Sequence, residues 1–119
     1  MKKLFIASTI IAALILVACS GSSSKPNGMS QKTYEIGCDI LKIMDKYNDG
    51  DLSKDEAISR LDSLSSSLSR EQKNIADSIE RLSNSTLSAA ISNFIFAMNP
   101  DHGSSTYDIA DRVRSMLEK

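Results

Sequence analysis

Apolar residues recur at helical spacing from residue 31 to the end of the chain, and no segment alternates in the manner of a half-buried strand. The pattern predicts a first helix over residues 31–47, ended by turn-forming residues at 48–51. A second helix is predicted to open at Ser53, with Glu56 three positions later in a capping box. Its apolar stripe is the cleanest in the chain and consists of Ala57, Leu61, Leu64 and Leu68.

The second half of the chain shows the same spacing and predicts two more helices. Ser69 and Gln72 repeat the capping-box spacing, so a third helix is expected to start there and to run to residue 98, with a kink or break at 83–85. After a stop at 99–103, Ser105 and Asp108 are expected to cap a last helix. Four helices with short connections predict an all-α, up-and-down four-helix bundle over residues 31–119.

The N-terminus has the pattern of an export signal. Lys2 and Lys3 are followed by an uncharged, mostly apolar run over residues 4–17, which is shorter than the roughly 20 residues that a membrane-spanning helix needs. The run ends in Leu16-Val17-Ala18-Cys19, which resembles the lipobox of bacterial lipoproteins. The resemblance implies removal of residues 1–18 and a diacylglycerol on Cys19. It therefore implies a lipid anchor in a bacterial cell membrane or outer membrane, with the domain outside the cytoplasm.

Residues 19–30 follow the signal and are dominated by serine and glycine, together with one proline and one asparagine. Such a segment has too little apolar surface to offset the entropy of ordering it. It is predicted to be a flexible tether between the lipid on Cys19 and the helical domain.

Composition and charge exclude several classes of function. The formal net charge is −1, which gives no basic footprint for a nucleic-acid partner. The single histidine excludes sites built from several histidines, and neither Gly-x-Ser-x-Gly nor Ser-x-x-Lys occurs. We therefore predict a non-enzymatic protein. The principal hypothesis is a lipid-anchored helical module that binds another protein, and no cofactor is required for it.

The alternative hypothesis is calcium binding by residues 45–56. This segment resembles an EF-hand loop, and the resemblance implies that calcium is held by loop positions one, five, nine and twelve, with glycine at position six. Position three is Tyr47, a departure from the oxygen ligand of the family. A second interpretation needs no metal, because the same residues also make a turn and a helix cap. The implied ligands are Asp45, Asp49, Ser53 and Glu56.

Two further features have open interpretations. Cys38 is the only thiol left once Cys19 is acylated, which excludes an intramolecular disulfide. It is expected either to pack as a small buried hydrophobe on an apolar helix face or to stay reactive and cross-link two molecules. Residues 94–96 place apolar side chains on nearly all sides of the third helix, so either the core surrounds this helix or one side is a docking surface. Small residues nearby would let a neighbouring helix approach closely: Ser88, Ala89, Ala90 and Ser92.

Overall fold

The computed structural model describes residues 25–99 and 105–118. Within these ranges the chain forms four α-helices and no strand: α1 (Gln31–Asn48), α2 (Lys54–Gln72), α3 (Ser78–Ala97) and α4 (Thr106–Glu118). The predicted all-α four-helix bundle is confirmed. The predicted signal peptide, Cys19 and most of the 99–103 stop lie outside the described residues.

Each helix begins at a side chain that accepts hydrogen bonds from free backbone N–H groups. Ser30, Ser53 and Asp77 cap α1, α2 and α3, and the Oγ of Ser105 accepts from the N–H of Asp108 at 3.3 Å. A cap of this kind stabilises a helix by about 1 kcal/mol. The predicted caps at Ser53 and Ser105 are therefore confirmed.

The boundary between the second and third helices differs from the sequence prediction. Ser69 and Gln72 do not open a helix but belong to the last turns of α2, and the break falls at residues 73–77. Leu68 is fully buried, so packing holds α2 together through its serine run. Asp77 then caps α3, which runs without a break from Ser78 to Ala97, through the predicted kink or break at 83–85. Asn84 within this stretch is buried and donates to Thr33 Oγ1 at 3.2 Å.

The helices form a ring in which α1 and α3 each pack against both α2 and α4. Helices α1 and α3 also touch across the centre. Tyr47 meets Phe94 edge-on, with the ring centroids 5.7 Å apart. The largest fully buried apolar side chains come from all four helices: Ile40, Met44, Leu61, Leu68, Leu87, Ile91, Phe94 and Val113.

Residues 26–30 are packed onto the bundle, so the folded domain begins earlier than the predicted residue 31. Met29 is 2% exposed and belongs to the core, and Pro26 is also buried. Gly28 has a φ of +83°, a conformation that glycine adopts without steric cost. Ser83 donates to the carbonyl of Gly28 at 2.7 Å. We call residues 25–30 the strap.

Different segments and contacts mark the two ends of the bundle. The strap lies at one end, where Ser30 donates to Glu71 at 3.3 Å and thereby links α1 to the end of α2. We call this the strap end. At the opposite end the side chain of Asn48 donates to the carbonyl of Thr106 at 3.3 Å. This second end carries the 45–56 segment, and we call it the loop end.

Two phenylalanines on α3 provide a matched test of the packing. Phe94 is 0% exposed and Phe96 is 59% exposed. We expect Phe94→Ala to lower the free energy of unfolding by about 3–5 kcal/mol, because it leaves a cavity among buried side chains. Phe96→Ala is expected to change it by less than about 1 kcal/mol. Urea denaturation followed by circular dichroism measures both, and equal losses would show that the described core is wrong.

Candidate functional site

The structure does not gather the residues of the EF-hand-like segment around one point. Helix α1 continues through Asn48, so Asp45 lies within the helix rather than at the start of a loop. Both carboxylate oxygens of Asp45 accept from Nη2 of Arg114 at 2.7 Å. This hydrogen bond raises the pKa of Arg114 above its ordinary value. The first implied calcium ligand is thus engaged by a cation of α4.

The other implied ligands act in helix termination and capping. Asp49 caps the end of α1, and its N–H donates to the carbonyl of Asp45 at 2.9 Å. Ser53 Oγ accepts from the N–H of Glu56 at 3.2 Å and donates to its carboxylate at 3.3 Å. Gly50, with a φ of +83°, makes the turn between them. Among residues 25–99 and 105–118, no three or more His, Cys, Asp or Glu side chains are grouped so as to hold a metal ion.

This geometry makes a direct prediction about calcium. We expect Glu56→Ala to lower the stability of the domain by about 1 kcal/mol through the loss of capping, equally in excess calcium and in chelator. Thermal melts monitored by circular dichroism in the two conditions measure the effect. A specific site at a free calcium of 100 times its Kd would add about 2.7 kcal/mol. A calcium-dependent rise in the midpoint that disappears in Glu56→Ala would contradict the capping interpretation.

Cys38 differs from the sequence prediction of a lone thiol. It is partly buried against the core, and it is not a free thiol. The chain has two cysteines. A sulfur in a thioether cannot also form a disulfide, so the state of Cys38 bears directly on the lipid predicted for Cys19.

A shallow cleft of about 330 Å³ lies between α1 and α2. Lys42, Lys46 and Arg60 line it together with Asp39. Burial raises the pKa of Asp39 above its ordinary value, and the nearby charge of Lys42 partly opposes this shift. The cleft is open to solvent and its charges are mixed, as expected for a hydrated groove between two surface helices.

The outer side of α3 has no charged residue over most of its length. None occurs between Arg81 and Asp101 in the sequence. We call the exposed residues of α3 from Ser85 to Phe96 the uncharged face. It consists of Ser85, Thr86, Ala89, Ser92, Asn93 and Phe96.

The outer sides of the other helices are charged, as is usual for helices that face water. Exposed acids and bases both occur along α1, α2 and α4. They include Lys32, Glu35 and Asp39 of α1, Asp55, Glu56, Arg60, Asp62 and Arg70 of α2, and Asp108, Asp111, Arg112 and Glu118 of α4. Within the described part of the chain, α3 is therefore the exception.

A groove of about 150 Å³ between α3 and α4 borders the uncharged face. Thr86, Ala89 and Asn93 line its α3 side. Ala90 and Met116, also in its lining, are partly buried and packed against the core. The groove thus brings apolar surface of the core within reach of a molecule seated on the uncharged face.

The sequence indicated part of this surface. The apolar run at residues 94–96 left a docking surface open, and the structure buries Phe94 while it exposes Phe96. The long interval without charge was the further signal, and it becomes informative only once the outward-facing positions of α3 are known. Spacing alone did not identify Ser85, Thr86 or Asn93 as members of an exposed surface.

Comparison of the chain with protein-family models, with curated proteins and with solved structures gives no match. Among the described residues, no helix is long and apolar enough to cross a membrane.

Proposed function

We propose that this chain is a lipid-anchored, non-enzymatic interaction module of the bacterial envelope that binds a protein partner through the uncharged face of α3. The single observation that carries the proposal is the exposure of a helix side without charge, which ends in an aromatic ring that is 59% exposed. The solvent side of a surface helix usually carries charged residues among its polar ones. The lack of charge, together with the exposed ring of Phe96, favours a surface that another molecule covers.

The chemistry of the face indicates the kind of partner. The buried centres of protein interfaces are depleted of charged residues and enriched in aromatic ones. Ala89 and Ser92 are small and permit close approach, and Phe96 supplies an apolar anchor. A helix or strand surface that is itself uncharged fits the middle of this face, where a charged group would lose its hydration without gaining an ion pair. Arg112 of α4, at the bordering groove, can pair with an acid at the edge of the partner.

The lipid anchor rests on the sequence, and it requires that the sulfur of Cys19 is joined to lipid and not to Cys38. The lipobox ends at Cys19, and residues 1–18 have the charge and the apolar run of an export signal. Two acyl chains on one residue give stable membrane attachment, whereas one chain gives only marginal attachment. An anchor of this kind holds a small binding domain at the membrane without a spanning helix.

The chemical group on the sulfur of Cys19 tests whether the chain has the proposed lipid anchor. We expect peptide mapping by mass spectrometry of the chain from bacterial membranes to find Cys19 as the N-terminal residue, with a diacylglyceryl group on its sulfur. Cys19→Ser is expected to release the protein from the membrane fraction or to leave residues 1–18 attached. A peptide pair that joins Cys19 to Cys38 through a disulfide, with no lipid, would refute the anchor.

A lysine placed on the uncharged face tests the binding surface. Ser92 and Ser66 are both exposed serines within helices, on α3 and α2 respectively. We expect Ser92→Lys to break the complex, because the new ammonium group would be buried without a partner. Ser66→Lys is the matched control and is expected to leave the complex intact, and both variants should fold normally.

Native gel electrophoresis of gently solubilised membranes measures this difference. Wild type and Ser66→Lys are expected to migrate in a larger assembly, and Ser92→Lys as the isolated chain. If purified wild type reproduces the assembly alone, the partner is a second copy of this chain. Identical migration of all three proteins would mean that the uncharged face is not a binding surface.

A further inference from the structure

We propose that the strap end of the bundle rests on the bilayer surface, with Ile79 and Leu82 in contact with lipid. The inference depends on the lipid anchor of the proposed function, and it adds an orientation for the domain and a second interaction surface. Three observations support it: the contacts of the strap, the position of two exposed apolar side chains, and the short length of chain between the strap and Cys19.

The strap fixes the place at which the chain enters the domain. Met29 is buried in the core, and the carbonyl of Gly28 accepts from Ser83 of α3. Ser30 is bonded to Glu71 at the end of α2. The segment is therefore held by α2 and α3 together, and the chain reaches the bundle beside the first turns of α3.

The distance from the strap to the predicted anchor is short. Lys25 is six positions after Cys19. Six residues span at most about 20 Å even when fully extended. A lipid on Cys19 therefore keeps the strap end close to the bilayer.

Exposed apolar side chains lie beside the strap. Ile79 is 61% exposed and Leu82 is 65% exposed, and their spacing of three places them on neighbouring positions of one helix side. Ile79 is in contact with the strap, since a Cβ on Gly28 would lie 2.9 Å from its Cγ2 atom. Water gives no stabilisation to these side chains, whereas the boundary between headgroups and acyl chains does.

Acids and bases both lie near the strap end, where Asp77 is exposed and Glu80 is half-buried next to Ile79 in the sequence. Lys25, Lys73 and Arg81 are exposed close in sequence to the strap or to the apolar pair. Their long side chains can keep the ammonium and guanidinium groups at headgroup level while the apolar stems lie deeper. The segment richest in acids is at the opposite, loop end, and consists of Asp45, Asp49, Asp51, Asp55 and Glu56.

The orientation separates the lipid contact from the partner contact. Leu82 and Phe96 are fourteen positions apart on α3, which at 1.5 Å per residue corresponds to about 20 Å along the helix. The apolar pair meets lipid at one end of α3, while Phe96 at the other end lies away from the bilayer. A partner that contacts Phe96 must therefore project from the membrane by a similar distance.

Tryptophan fluorescence tests the orientation, because the natural chain contains no tryptophan. Leu82→Trp and Phe96→Trp each introduce one reporter at an exposed position, and Ile79→Trp provides a second reporter for the strap end. The full-length, lipidated proteins are placed in vesicles of phosphatidylcholine and phosphatidylglycerol with brominated acyl chains, and flotation establishes attachment. We expect bromine to quench Leu82→Trp and Ile79→Trp at least two-fold more than Phe96→Trp.

The possible results distinguish a failure of the orientation from a failure of the lipid anchor. Flotation with equal quenching at both ends of α3, or with stronger quenching of Phe96→Trp, would overturn the orientation and leave the anchor standing. Proteins that carry no lipid and do not float would overturn the anchor, and this inference with it. Circular dichroism that matches wild type shows that the substitutions leave the bundle folded.

Discussion

A helix in a small bundle buries one side and exposes the other, and the exposed side of α3 is polar but uncharged from Ser85 to Phe96, where an aromatic ring is exposed. The inner side of α3 fills the core with Leu87, Ile91 and Phe94. Within the part of the chain that the structure describes, the outer side from Ser85 to Phe96 carries none of the charge found on the other helices and is exposed. The proposed binding surface depends on this feature, because exposed apolar surface such as Phe96 and the neighbouring groove marks a site that another molecule covers.

The same helix also relates the two ends of the molecule to each other. Its first turns contact the strap, and its last turns lead to the end that carries the acidic segment. In the proposed arrangement lipid meets the first turns, and a partner lies along the middle and the far end. The Asp45–Arg114 pair and the Ser53–Glu56 cap then have structural roles, because they fix α4 to α1 and begin α2.

Much of the fold could be predicted from the sequence, because helical spacing, caps and turn residues are local signals. The break between α2 and α3 was misplaced because Ser69 and Gln72 have the spacing of a capping box, while burial of Leu68 keeps that turn within α2. The burial of Met29 was missed because its neighbours are glycine, serine and asparagine, and only the packed helices create a place for it.

The candidate site was harder to predict than the fold. An EF-hand pattern specifies residue types, but it does not show that α1 continues through Asn48 or that Arg114 engages Asp45. That Cys38 is not a free thiol could not be foreseen once Cys19 was assigned to lipid. The uncharged face needed two facts together, namely a sequence interval without charge and the knowledge of which residues of that interval face outward.

The most direct test of the central claim is a scan with a photo-activated cross-linking amino acid in living cells. The probe is placed at Ala89 and Phe96 on the uncharged face, and at Ser59 and Ser66 on the exposed side of α2. The account predicts one discrete cross-linked species from the two positions on α3 and none from the two on α2. Equal cross-linking from both helices, or cross-linking from α2 alone, would contradict it.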